Sequence, residues 1–228
     1  MGPHWVDLEA PFRRTLELAW ASFRAGSLGI GAVITDADGA VVVEGRNRLF
    51  EHPTADAPLA GSTLAHAEID ALSKVRWRQA VEGHALWTSL EPCLQCAGAI
   101  RFAGISRVRY LCDDPICDGL HRLPEISPFV AQAWPTVEGP APNPLATLGI
   151  LFPLHVSQFW VPDALLPAQV ERFPATTQLA GELVASGELL ALAEQDASAA
   201  DVAAALGERL VAAHAGDGHH GRRAVSGT

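Results

Sequence analysis

The spacing of apolar positions divides the chain into a first half with a regular rhythm and a second half built differently. Over residues 7–25, DLEAPFRRTLELAWASFRA, the positions Leu8, Phe12, Leu16, Ala19, Trp20 and Phe23 fall on one stripe, which predicts a helix that Gly26 stops. Residues 30–47, IGAVITDADGAVVVEGRN, hold two β-branched runs around Asp36-Ala37-Asp38-Gly39, and the Asp-Gly pair predicts a hairpin. Residues 49–62, with Pro53, Pro58 and Gly61, read as a loop. Helical spacing resumes over residues 63–80, TLAHAEIDALSKVRWRQA, and HALWTSL reads as a short buried strand. PCLQCAGAIRFAG opens a helix with Pro92 in its first turn, and SRVRYLC is a further strand ending at the acidic turn Asp113-Asp114-Pro115.

Helix, strand, strand, helix, strand, helix, strand is the order of a sheet held between helices, so the expected fold class is α/β with three layers, α/β/α. Past residue 115 the rhythm changes. Residues 134–162 carry six prolines around the apolar stretch LATLGILFPLHVSQFW, residues 163–214 read as one or two alanine-rich helices, and GDGHHGRRAVSGT is expected to be disordered. The expected division is a catalytic unit over residues 1–160, a helical extension over 161–214 and a tail over 215–228.

Composition narrows the function. The 228 residues are 49% hydrophobic and 18% charged, enough apolar material for a real core. Sixteen Lys and Arg stand against 26 Asp and Glu, a formal charge of −10, and Lys74 is the one lysine. That balance lacks the basic face of a protein that holds nucleic acid by its backbone, so nucleic acid is not the expected partner. The opening residues show no secretory pattern and no apolar run reaches the ~18 residues of a membrane span, so the expectation is no membrane and a reduced, cytoplasmic setting. In that setting Cys93-Leu94-Gln95-Cys96 reads as metal ligation or redox chemistry, not as a disulfide.

His66-Ala67-Glu68, followed by Pro92 and Cys93-x-x-Cys96, decides between those two. One imidazole and two thiolates make a three-ligand zinc site with the fourth tetrahedral position open to water, the pattern of a catalytic zinc. The thiolates fall in the first turn of a helix, where free N–H groups favour negative sulfur. Residues two apart do not share a helix face, so His66 and Glu68 converge only if the helix starts at about His66. Glu68 can then take a proton from the activated water and pass it to a ring nitrogen and a departing amine.

His66-Ala67-Glu68 with Glu91-Pro92-Cys93-Leu94-Gln95-Cys96 resembles the zinc-dependent cytidine/deoxycytidylate deaminase superfamily and its H-x-E…P-C-x-x-C signature. GIGAVIT, EGRNR, HAEIDAL and SLEPCLQCAGAI are similar to the branch that holds guanine deaminases and tRNA adenosine deaminases, over about residues 7 to 115. The resemblance implies a deaminase-like fold with a five-stranded central sheet, Zn2+ on His66, Cys93 and Cys96, and Glu68 as proton shuttle. It also implies that Asn47 binds the base, that the backbone of Ala67 holds the ring, and that the Ser89 and Leu90 carbonyls accept hydrogen bonds from the leaving amine. Gly31 and Ala32 are expected to let the ring approach, and a homodimer is implied.

Other residues keep two readings. Asp113 and Asp114, at a strand end where α/β ligands gather, either contact the substrate, with Asp114 taken as a substrate-binding residue, or form a solvated turn. His52, His155 and Trp160 either border the pocket or pack; Cys112, Cys117, Trp77 and Trp87 read as core, and His219 and His220 as tail. The expected activity is hydrolytic deamination of a free nucleobase, nucleoside or related amino-heterocycle with release of ammonia. Deamination of tRNA adenosine and a non-catalytic zinc-stabilised interaction module are the alternatives.

Overall fold

The computed structural model describes residues 4–76, 83–116, 120–160 and 166–218. β1 (Gly31–Thr35) pairs antiparallel with β2 (Val41–Arg46) and with β3 (Ala85–Leu90), whereas β3, β4 (Arg107–Cys112) and β5 (Thr136–Glu138) run parallel, giving the order β2-β1-β3-β4-β5. The hairpin between β1 and β2 closes as the Asp-Gly pair predicts. The Asp36 carboxylate accepts from the N–H groups of Asp38 and Ala40, and Gly39 takes φ 84°.

Alternation along β3 sends its side chains to two helical layers. Leu86 joins Ile34, Ala71, Ile100, Ile105 and Val108 under α2 (Ala67–Leu72) and α3 (Leu94–Ala103). Trp87 faces the other side, where α1 (Ala10–Arg24) packs Phe12 edge-on against it at 4.8 Å between ring centroids. The fold is therefore the expected three-layer α/β/α arrangement with a five-stranded central sheet. Its fifth strand hides in the sequence because it is three residues long, lies at the sheet edge and follows Pro135.

Two differences from the expected elements bear on the site. The helix read over residues 63–80 starts at Ala67, because the chain turns through Ser62–Ala65 and His66 is extended (φ −76°, ψ 155°). Trp77 lies outside the described residues. After the short α4 (Pro128–Ala131) comes α5 (Thr147–Trp160), and the extension, read as one or two helices, comprises four among the described residues: α6 (Leu166–Arg172), α7 (Pro174–Ser186), α8 (Glu188–Glu194) and α9 (Ala199–Gly216). One apolar core runs through Phe12, Trp20 and Phe23 of α1, Phe152 of α5, Leu183 of α7 and Leu206 of α9, and so crosses residue 160 without a break.

Candidate active site

His66 and Cys93 both stand where an extended backbone enters a helix: His66 is the N-cap of α2 and Cys93, at φ −67° and ψ 171°, the N-cap of α3. Cys96 lies in the first turn of α3 and is buried. The two helix starts bring His66 Nδ1 to 3.5 Å from the Sγ of Cys93 and 3.5 Å from the Sγ of Cys96, with the two sulfurs 3.6 Å apart. Zinc bound at ~2.3 Å to sulfur and ~2.0 Å to nitrogen in a tetrahedron needs edges of about 3.5–3.8 Å. The three donor atoms match that face.

The charges point the same way. The thiol of Cys96 is pushed far up by its hydrogen bond with Cys93, by burial and by the nearby Glu68 charge. Burial holds the Glu68 carboxyl above the ordinary carboxylate range, with the Cys93 charge adding to the shift, while the His66 imidazole is raised by its contact with Cys93. A donor set that resists carrying its own anions is relieved by a divalent cation.

Glu68 is 4% exposed and sits beside this triangle, not in it. Its Oε2 accepts from the Cys96 thiol at 3.3 Å and its Oε1 from the Thr88 hydroxyl at 3.1 Å. Helix α2 begins where convergence of His66 and Glu68 requires it. Thr88 had no signal in the sequence, since its role depends on which β3 residues face α2.

A second feature missed in the sequence fixes where α2 starts. The Asp70 carboxylate accepts from the Arg46 backbone N–H at 3.0 Å, from Lys74 at 3.1 Å and from Arg48 at 3.5 Å, tying α2 to the end of β2. Gly45 lets the two elements meet: a Cβ there would lie 2.3 Å from the Ala67 carbonyl oxygen and 2.4 Å from the Ala71 nitrogen.

Asn47 is fully buried just beyond β2; its Oδ1 accepts from the Ser27 hydroxyl at 2.8 Å and the Leu49 N–H at 3.0 Å, while its Nδ2 finds no acceptor among the described residues. Ala67 is the first residue of α2, a position whose N–H has no partner within the helix. The Ser89 hydroxyl accepts from the Gly31 N–H at 3.1 Å, and the Ser89 carbonyl is directed at Gly149 of α5, where a Cβ would come within 2.0 Å of it. Gly31 likewise makes room for α1, whose Thr15 carbonyl would lie 2.1 Å from a Cβ there, so its open side is filled by a helix and not left to a ring.

At the end of β4 the two aspartates part company. The Asp114 N–H donates to Glu91 Oε2 at 3.4 Å and the Asp114 charge acts on His66, whereas Asp113 is drawn to Arg172 at 2.5 Å. Glu91 also donates its N–H to the Cys112 carbonyl at 2.8 Å, so it joins the turn before Cys93 to the turn that carries Asp114. His52 is exposed on its loop, and His155 is 1% exposed with its ring 5.1 Å from that of Phe23, packed in the core. Cys112 and Trp87 are buried. Cys117, His219, His220 and the side chain of Trp160 lie outside the described residues.

Residues 7–112 match the family model for the cytidine and deoxycytidylate deaminase zinc-binding region. The chain is 36% identical over 109 residues to guanine deaminase of Bacillus subtilis, covering 46% of this chain and 64% of that protein. It is 34% identical over 107 residues to a tRNA-specific adenosine deaminase of Agrobacterium fabrum, covering 44% and 64%. Against a tRNA(Ile)-lysidine synthase of Deinococcus radiodurans it is 32% identical over 143 residues, 58% of this chain and 22% of that protein. The chain thus spans less than two thirds of each of these relatives.

Proposed function

Since the chain belongs, through residues 7–112, to the cytidine and deoxycytidylate deaminase family, we propose that it is a zinc-dependent hydrolytic deaminase of a free nucleobase, nucleoside or related amino-heterocycle. The observation that carries this reading is the triangle of His66, Cys93 and Cys96 with Glu68 beside it. Zinc held by those three side chains would supply the Lewis acidity that makes water a nucleophile near neutral pH.

The chain's own residues do the rest. Glu68, whose carboxyl is pushed upward by burial, takes one proton from the attacking water and gives it to the ring nitrogen as the carbon–oxygen bond forms, then takes the second proton from the resulting hydroxyl and gives it to the amine, which leaves as ammonia as the carbon–nitrogen bond breaks and the carbonyl forms. Thr88 fixes the carboxylate's rotamer through Oε1. The buried Nδ2 of Asn47 is a donor for an acceptor on the heterocycle, and the free N–H of Ala67 is a second. Asp114, whose N–H donates to Glu91 and whose charge acts on His66, is the proposed further contact to the substrate. The Ser89 and Leu90 carbonyls are the proposed acceptors for the leaving amine, the Ser89 oxygen lying close to Gly149 of α5.

The cations support a small substrate over tRNA. Arg109 is paired with Glu9 and Glu138 and stacks 4.2 Å above the Trp87 ring, Arg107 pairs with Glu138, and Arg101 donates to the Phe129 and Val130 carbonyls. Near the site, Arg46 and Arg48 pair with Glu51. A reducing, cytoplasmic setting belongs to the same reading, since Cys93, Cys96 and Cys112 are unbridged. No helix among the described residues is long and apolar enough to cross a membrane. A homodimer fits the exposed Leu94, Phe102, Ile126 and Phe129 on and beside α3, and light scattering should give about twice the 24.1 kDa chain mass; a monomer at tens of micromolar overturns it.

An ammonia-release panel of guanine, adenine, cytosine, their nucleosides and aminotriazines, run with the zinc-loaded protein, tests the activity. Turnover of at least one is expected. Silence on all of them with full zinc occupancy, or turnover of tRNA alone with a salt-sensitive gel shift, overturns the reading.

A further inference from the structure

A cavity of about 530 Å3 lies on the other side of Asp113, between the C-terminal end of β4 and the extension helices α6, α7 and α9. Its walls are mainly apolar, with Leu111, Ile150 and Phe173 among them, and its volume falls in the ~300–1,000 Å3 range of sites for small organic ligands. None of its residues is a member of the metal cluster, and His66, Glu68, Cys93 and Cys96 do not line it.

The polar groups on the wall decide what it would hold. Asp113, 9% exposed, accepts from Arg172 Nη2 at 2.5 Å and from the Tyr110 hydroxyl at 3.4 Å, so its charge and that of Arg172 offset one another. Asp217 has no such cation in its hydrogen bonds: its oxygens accept from the N–H groups of Ala175 (2.7 Å) and Thr176 (3.3 Å) and from the Thr176 hydroxyl (2.5 Å). These two N–H groups open α7, and Asp217 itself closes α9. The positive end of α7 stabilises the ionised Asp217 carboxylate but brings no side-chain counter-charge to it. Asp113, Arg172 and Asp217 together leave one carboxylate charge without a counter-charge on this mainly apolar wall, which His214 also lines. Ionised carboxylates also keep acceptor capacity beyond the bonds already made.

We propose that this cavity is a binding site for a small organic cation, an amine or amidinium group carried on a flat or branched apolar body. The head group meets the carboxylates of Asp217 and Asp113, and the body lies against Ile150 and Phe173. An anion of equal size meets the Asp217 charge and finds Arg172 already engaged. Because the site is distinct from the metal cluster, its occupation can be measured with no reference to turnover.

Benzamidine and benzoate, alike in shape and opposite in charge, are the probes. Calorimetric titration of the zinc-loaded full chain should show benzamidine binding one to one with a dissociation constant below about 1 mM, and benzoate at least tenfold more weakly. Ala141→Phe places a ring in the cavity from a partly exposed position on its wall and should weaken benzamidine at least tenfold. In the unaltered protein, intermolecular nuclear Overhauser effects should join the benzamidine ring protons to Ile150 and Phe173, a readout that does not depend on any variant folding. The proposal is overturned if benzamidine fails to saturate by about 10 mM, if benzoate binds as well, or if the contacts fall on other residues.

Discussion

Glu68 is positioned for its proposed role by the Thr88 hydroxyl, which donates to one carboxylate oxygen and leaves the other directed toward the metal cluster. Glutamine has the same shape and can still accept from Thr88, but it takes up no proton. Glu68→Gln should therefore retain one zinc per chain while turnover falls by about 10²–10⁴, the range of a general acid–base group; metal analysis beside the ammonia assay reads both, and turnover within tenfold of the parent removes Glu68 from the mechanism. His66, Cys93 and Cys96 were legible in the sequence because a C-x-x-C turn and an H-x-E pair fix donor types at short range. Thr88 was not, since its partner is 20 residues away and depends on the face β3 presents. Asn47 was legible only in part: its amide oxygen is used by Ser27 and Leu49 to hold the backbone, and only the nitrogen is left for a ligand.

Elements place these residues through close approach. Helix α2 rests on β2 at Gly45, with the Ala67 carbonyl and the Ala71 nitrogen in the space a side chain would need. Both neighbours are backbone atoms and cannot rotate away, so Gly45→Ala must displace the start of α2, and with it His66. We expect a loss of about 1–3 kcal/mol in stability and at least a tenfold fall in zinc affinity in chelator competition. A variant that melts and binds zinc like the parent shows that the contact is not needed to place His66. The helix stripes and the hairpin were readable from periodicity. The start of α2 was not: apolar spacing continues upstream of His66, and what ends the turn there is the long-range grip of Asp70 on the Arg46 N–H. β5 was hidden for a similar reason, because three residues at a sheet edge carry no period.

At the scale of the whole molecule, the acidic balance and the shared core bear on different matters. The charge of −10 is the compositional ground for the expectation of a small substrate, and it is in keeping with this that Arg107 and Arg109 are paired with Glu138 and Glu9 while Arg101 donates to backbone carbonyls. The extension is the part the sequence least disclosed, since alanine-rich helices say little about which face they bury or against what. In the structure Phe173, Leu179, Leu183, Leu189, Val202, Leu206 and Leu210 belong to the same core as α1 and α5, and the Trp20 indole donates to the Ala197 carbonyl at 2.7 Å. Each fully buried side chain of that size contributes roughly 1.5–3 kcal/mol, and their sum rivals the ~5–15 kcal/mol that holds a domain folded. A chain ended after residue 160 keeps every proposed metal ligand yet leaves Trp20, Phe23 and Phe152 without their cover. It should aggregate or lose its cooperative thermal transition by circular dichroism. A cooperative melt within a few degrees of the full chain would show instead that residues 1–160 fold alone and that the extension is an addition to a finished domain.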